Sequence, residues 1–139
     1  MGRRRQAREA ALQFLYQVEC GADGEDARRL FWRRLNAPPE VLEFARQLAE
    51  RCLEHREEID EHIARAAANW RLERMARIDL CILRLGVCEL RWFPETPESV
   101  VIDEAIEIAR RYSDEGAPAF INGILDRVAR ELRVRSNQK

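Results

Sequence analysis

The sequence predicts an all-α bundle of about seven helices, and three observations predict it. Apolar residues recur at three- and four-residue spacings along almost the whole chain, in segments separated by glycine and proline. No segment alternates apolar and polar residues with the period of two that a half-buried strand requires. The stretch Asn69 to Leu90, NWRLERMARIDLCILRLGVCEL, is the densest apolar run, and from Ile78 onward only Asp79, Arg84 and Glu89 interrupt it. Arg77, Arg84 and Arg91 are seven apart and so share one narrow stripe of a helix. Met75, Ile78, Ile82, Leu83, Gly86, Val87 and Leu90 take up most of the remaining circumference, the pattern of a central element with several neighbours. Gly86 weakens a helix relative to Ala, so a close approach by another helix is expected there.

Taken in order, a first helix runs from near Arg4 to about Cys20, with Ala7, Ala11, Phe14, Leu15 and Val18 on one face. Arg5, Arg8 and Tyr16 fall together on a different side of it. The Gly21–Gly24 region stops that helix. A second, about Glu25 to Leu35, carries Leu30, Phe31 and Leu35 and ends at Ala37-Pro38-Pro39. A third, about Pro39 to Leu53, turns Val41, Leu42, Ala45, Leu48, Ala49 and Cys52 inward, and a fourth, about Glu57 to Ala68, buries Ile59, Ile63 and Ala67. A connection up to Met75 leads into the central helix, which Phe93-Pro94 ends. Thr96-Pro97-Glu98 reads as a helix start, with a capping hydroxyl, proline at the first position and an acid in the first turn. The helix from Pro97 to Tyr112 shows Val101, Ile102, Ala105, Ile106 and Ala109. Ser113 to Gly116 forms a polar turn, and a last helix, about Ala117 to Arg133, carries Phe120, Ile121, Ile124, Leu125, Val128 and Leu132. The tail 134–139 is expected to fray.

The 139 residues fit one domain, and 46% hydrophobic with 35% charged residues suits a soluble helical protein. No apolar run reaches the roughly 20 residues of a membrane span, and the basic start is not followed by a signal-peptide core, so a cytoplasmic location is expected. Cys20, Cys52, Cys81 and Cys88 contain no CxxC pair and lie within helical patterns, which reads as buried free thiols. His55 and His62 are seven apart on a charged stretch and lack the i, i+4 spacing of a helical metal pair. Glu57-Glu58 and Asp60-Glu61 read as a solvated helix surface. There is no glycine-rich phosphate loop, and Thr96 is occupied as a cap, so neither an enzyme nor a cofactor is expected.

The stronger signal is electrostatic. Net charge is −1, but Arg3, Arg4, Arg5 and Arg8 put four positive charges in the first eight residues. An arginine-rich arm leading into a helix suits a nucleic-acid backbone, because guanidinium groups grip phosphates bidentately. Tyr16 on the same side is placed to stack on an unpaired base. Asp79 projects onto the apolar side of the central helix, where a carboxylate needs a partner, an exposed position or the helix dipole. An interface with another protein is the alternative account of it.

Three stretches together resemble the NusB family of bacterial transcription antitermination factors: RRRQAREAALQFLYQ at Arg3 to Gln17, NWRLERMARIDLCILRLGVCEL at Asn69 to Leu90, and VVIDEAIEIARRYSDEGAPAFINGILDRVA at Val100 to Ala129. The resemblance covers nearly the whole chain and implies one all-helical RNA-binding domain in two subdomains, about 1–68 and 69–133. It implies binding of the boxA element of ribosomal RNA leaders as single-stranded RNA. It also implies pairing with a small-subunit ribosomal protein, NusE, and joining RNA polymerase with other Nus factors to prevent early termination. By position, the RNA surface would be Arg3, Arg4, Arg5, Arg8, Tyr16 and the turn from Glu115 and Gly116 through Phe120, and Asp79 would contact the ribosomal protein. Gly116 and Ala119 depart from the polar or charged residues frequent in the family and shift the expected burden to the arginine arm. Asn122-Gly123 matches the family but reads as structural, with Gly123 allowing close packing and Asn122 making a buried hydrogen bond. The bundle also resembles the N-terminal domain of some ribosomal RNA cytosine methyltransferases. A protein-only scaffold, such as a homodimer covering the basic surface, is the third reading.

Overall fold

A computed structural model describes residues 2–68 and 70–137. Among these residues there are seven α-helices: α1 (Arg3–Glu19), α2 (Glu25–Arg34), α3 (Pro39–Glu54), α4 (Arg56–Ala67), α5 (Arg77–Trp92), α6 (Glu98–Tyr112) and α7 (Ala117–Asn137). One 3₁₀ turn, Leu72–Arg74, lies between α4 and α5.

The apolar run in α5 is buried continuously from Asp79 through Glu89, and α5 packs on α1, α3, α4, α6 and α7. Its arginine stripe faces protein as well as solvent: Arg84 is buried and reaches Asp60 of α4 and Glu19 of α1, while Arg91 pairs with Glu58. Gly86 has the close neighbour expected of it. A Cβ there would sit 2.8 Å from a methyl of Leu125, a fully buried side chain of α7. Phe14, Phe31 and Trp32 form a ring cluster that holds the short α2 onto α1, and Phe44 meets Phe93 edge-on. Buried apolar side chains of this size each stabilise the fold by roughly 1.5–3 kcal/mol.

Several expectations need correction. In α2 the buried residue is Trp32, and Leu30 is exposed. In α3 Phe44 takes the inward place given to Leu42, which is half-buried. In α6 Ile108 is buried and Ile106 only partly so. Thr96 makes no capping bond, because the helix begins at Glu98 with Pro97 in the cap position, one residue too late for the hydroxyl to reach. The tail stays helical to Asn137, and 138–139 lie outside the described residues, as does Asn69. Cys20 is exposed, whereas the other three thiols are buried, with burial pushing Cys81 up to about 12. Asp60 pairs with the buried Arg84, whereas Glu58 pairs with Arg91 at the surface and Glu57 and Glu61 are exposed as expected. His62 is fully buried: Arg65 donates to its Nδ1 at 3.0 Å, and its Nε2 has no hydrogen-bond partner. Burial lowers its pKa. Asn122 is exposed, and a Cβ on Gly123 would meet nothing within 4 Å, so neither residue does what α7 packing was expected to require.

Candidate nucleic-acid interface

The arginine arm is not a free segment. Helix α1 starts at Arg3, so Arg3, Arg4 and Arg5 stand in its first turn, where no acid is present. Cations there oppose the positive end of the helix dipole and need negative partners from elsewhere. Glu40 of α3 pairs with Arg3. The Arg4 guanidinium lies 3.8 Å from the centre of the Phe44 ring, a cation–π contact. Arg5 donates from Nε and Nη2 to the two Glu104 oxygens at 3.1 and 2.6 Å, a bidentate bond to α6. That bond holds the Glu104 carboxyl below its ordinary pKa.

Arg8 goes further inward, with only 6% of its surface exposed. At 100° per residue it falls between Leu15 and Leu12, and both leucines are buried, so the apolar face of α1 is wider than its sequence pattern suggested. Its guanidinium binds both oxygens of Glu89 at 2.8 and 2.6 Å and lies 3.5 Å from Glu104. Glu89 is 2% exposed, which makes Arg8–Glu89 a buried ion pair joining α1 to α5.

Tyr16 lies eleven residues beyond Arg5, roughly 16 Å along the helix. Its ring is 41% exposed, and its hydroxyl lies beside Cys20, which raises the phenol pKa against the opposing charge of Arg77. Arg77 in turn donates to the Cys20 sulfur at 3.9 Å. Asp79, two residues on in the first turn of α5, is 8% exposed and accepts a 2.5 Å hydrogen bond from the Ser113 hydroxyl. The carboxylate thus has both the helix dipole and a hydrogen-bond donor, and it fastens the α6–α7 turn to the start of α5. Glu115 and Gly116 are exposed in that turn, beside an open hollow of about 540 Å³ that Arg110 and Asn122 also line. Phe120, one turn into α7, is half-buried.

The candidate residues therefore divide. Tyr16, Asp79, Glu115, Gly116 and Phe120 gather where α1 ends, α5 begins and α6 turns into α7. Arg3, Arg4, Arg5 and Arg8 sit along the opposite half of α1, engaged with α3, α5 and α6. The sequence reading missed Trp70, which is 58% exposed and meets Phe120 edge-on with ring centres 5.5 Å apart. It also passed over Arg71 and Arg74, and it placed Arg77 only in the stripe of α5. A lone tryptophan between two helices, trailed by arginines every third residue, was the available signal. Among the described residues no three His, Cys, Asp or Glu side chains are grouped to hold a metal, and no helix is long and apolar enough to cross a membrane.

Comparison with known proteins covers nearly the whole length. The NusB family model matches residues 5–130. A transcription antitermination protein NusB of Sorangium cellulosum is 47% identical over 135 residues, 95% of each chain. Its counterpart in Geobacter sulfurreducens is 46% identical over 95% of this chain and 97% of that one. Among solved structures, T. maritima NusB superposes with a TM-score of 0.85 at 38% identity, covering 94% of this chain and 92% of that chain. A crystal structure of antitermination factors NusB and NusE in complex with dsRNA superposes with a TM-score of 0.82 at 25% identity, covering 94% and 98%.

Proposed function

The chain belongs to the NusB family, and on that footing we propose that it is a transcription antitermination factor. It binds boxA RNA of ribosomal RNA leaders together with the small-subunit ribosomal protein NusE, and with other Nus factors it keeps RNA polymerase from terminating early. It acts by binding, without catalysis or cofactor, in the cytoplasm. The observation that carries this reading is the likeness of the whole chain to a NusB solved with NusE and RNA. The gathering of Tyr16, Asp79 and the Glu115–Phe120 turn at one end of the bundle supports it.

In this reading Tyr16, Glu115, Gly116 and Phe120 form the RNA surface at that end, and Arg3, Arg4 and Arg5 attract the RNA backbone at the start of α1. A phosphate there gains from the same helix dipole that disfavours the arginines alone. The role proposed for Arg8 is to hold α1 in register through Glu89 and Glu104, so that its neighbours are presented correctly. Asp79 serves the NusE contact, with Ser113 setting its orientation. A division into subdomains near residue 68 remains part of the proposal, with α4 lying against both α5 and α7.

The test is a titration of labelled boxA-like RNA against a scrambled control, single-stranded and duplex, with and without NusE. Tighter binding to the boxA sequence, strengthened by NusE, is the expected result. Equal weak binding to every RNA, unchanged by NusE, would overturn the reading. Asp79→Asn keeps an acceptor for Ser113 but removes the charge, and it should weaken NusE binding while leaving RNA binding by the chain alone unchanged.

A further inference from the structure

The segment joining α4 to α5 holds an arrangement of charge not repeated elsewhere among the described residues. Arg71, Arg74 and Arg77 are all exposed, and none has a carboxylate partner among the described residues. Glu73 is the sole acid between Trp70 and Arg77. The three arginines follow one another along the chain. Arg71 caps a 3₁₀ turn and Arg74 ends it, a step of roughly 6 Å. Met75 and Ala76 are extended, so Arg77 lies up to about 10 Å further on.

Aromatic rings flank this row at both ends. Trp70 stands exposed at one end with the Phe120 edge against it, and Tyr16 lies beside Arg77 at the other. The backbone just before Trp70 is unusual. Ala68 has φ +52°, a region L-residues rarely adopt, and the Trp70 N–H closes the turn on the Ala67 carbonyl at 3.1 Å. The Trp70–Phe120 contact leaves most of the indole in water, and backbone strain of this kind concentrates where a ligand is held.

We propose that this connection is an RNA-holding element. Arg71, Arg74 and Arg77 take successive backbone phosphates of a single-stranded RNA, and Trp70, braced by Phe120, stacks on an unpaired base. The inference rests on the reading of the protein as an RNA binder and names the residues that carry most of the backbone contact. Arg71 and Arg74 have no carboxylate to leave when they meet a phosphate, and Arg77 gives up only a weak contact with the Cys20 sulfur, whereas Arg3 and Arg5 must first leave Glu40 and Glu104. A protein-binding patch would instead centre on exposed apolar side chains. Here Leu72 is half-buried and Met75 is buried, which leaves one large aromatic face set in positive charge. Flat rings along a cationic row suit single-stranded nucleic acid.

The test compares the wild-type chain with R71A/R74A/R77A, Trp70→Ala and Trp70→Phe, binding a single-stranded boxA-like RNA across a salt series, with NusE binding measured alongside. Each arginine withdrawn from a phosphate should reduce the slope of log affinity against log salt by about 0.7, so the triple variant should be shallower by about 2. Trp70→Ala should weaken binding roughly tenfold, within the range for one stacked base. Trp70→Phe should keep most of the affinity but abolish the RNA-induced quenching of tryptophan fluorescence, since Trp32 is buried and Trp92 stacks on His55. The replaced side chains are exposed, and unchanged helical content confirms that the variants are folded. Wild-type affinity and salt slope in the triple variant would overturn this inference while leaving the proposed function standing. Loss of NusE binding with RNA binding intact would overturn it in favour of a protein contact. Absence of RNA binding by the wild-type chain would overturn both.

Discussion

Two groups of arginines can be set side by side. In the first turns of α1, Arg3, Arg5 and Arg8 each face a carboxylate on another helix, and Arg4 faces an aromatic ring. From the connection after Trp70 into the start of α5, Arg71, Arg74 and Arg77 are exposed, with no carboxylate partner among the described residues. The first group is conspicuous in sequence, four charges in eight residues, and the second is spread over seven within a mixed segment. The charge that is densest in sequence is largely consumed within the fold, and the sparser charge is the available one. A count of arginines measures neither, because the field a ligand meets depends on which guanidinium groups already have partners.

Substitutions break this comparison in order of expected effect. Arg8→Ala leaves the Glu89 carboxylate buried and unpaired, and urea unfolding should show a loss of about 3–5 kcal/mol. Arg8→Met with Glu89→Leu together should recover most of that loss; equal instability in the single and double variants would mean the pair matters through packing alone. Ser113→Ala removes the donor to Asp79 and should cost about 1–3 kcal/mol, read in the same way.

Arg5→Ala is smaller, below about 1 kcal/mol at neutral pH, because the pair is partly solvated. Its signature lies in acid. The folded pKa of Glu104 is lowered, chiefly by its hydrogen bond with Arg5, so the stabilisation is complete above the unfolded carboxyl value and is lost as pH falls through the lower folded value. The unfolding midpoint of the wild-type chain should therefore fall more steeply below about pH 4.5 than that of Arg5→Ala. Glu131, lowered chiefly by Arg65, adds to the same acid limb in both proteins. Smallest of all, each of Arg71→Ala, Arg74→Ala and Arg77→Ala should change stability by no more than about 0.5 kcal/mol. A larger loss would place those side chains in the fold's own network and remove the contrast.

The helices, their order and the central place of α5 were legible because burial imposes a 3.6-residue period that sequence alone displays. Gly86 was legible for a related reason: a helix interior tolerates glycine where a neighbour leaves no room for a methyl. The candidate interface was only partly legible. Helical angle placed Arg8 off the apolar face because Leu12 was not counted in that face, and its partner Glu89 lies 81 residues away. Asp79 was recognised as needing a partner, but Ser113 is 34 residues distant and no local pattern points to it. Trp70 escaped notice because nothing in its local pattern separates an exposed tryptophan from a buried one. Side chains that act across the fold are set by tertiary geometry, and periodicity carries no record of it.

The ion pairs of α1 also set the order in which the protein is completed. Arg5 meets Glu104 and Glu9 meets Arg111, contacts spanning 99 and 102 residues. At a synthesis rate of about 5–20 residues per second, roughly 5–20 s separates the emergence of Arg5 and Glu9 from that of their partners on α6. Through most of that interval Arg5 has no carboxylate partner, although Glu40 is already available to Arg3. Helix α1 can pack on the nearby α3 early, but its junction with α6 is a late, long-loop event, and slowing that step should slow folding more than it lowers the stability finally reached.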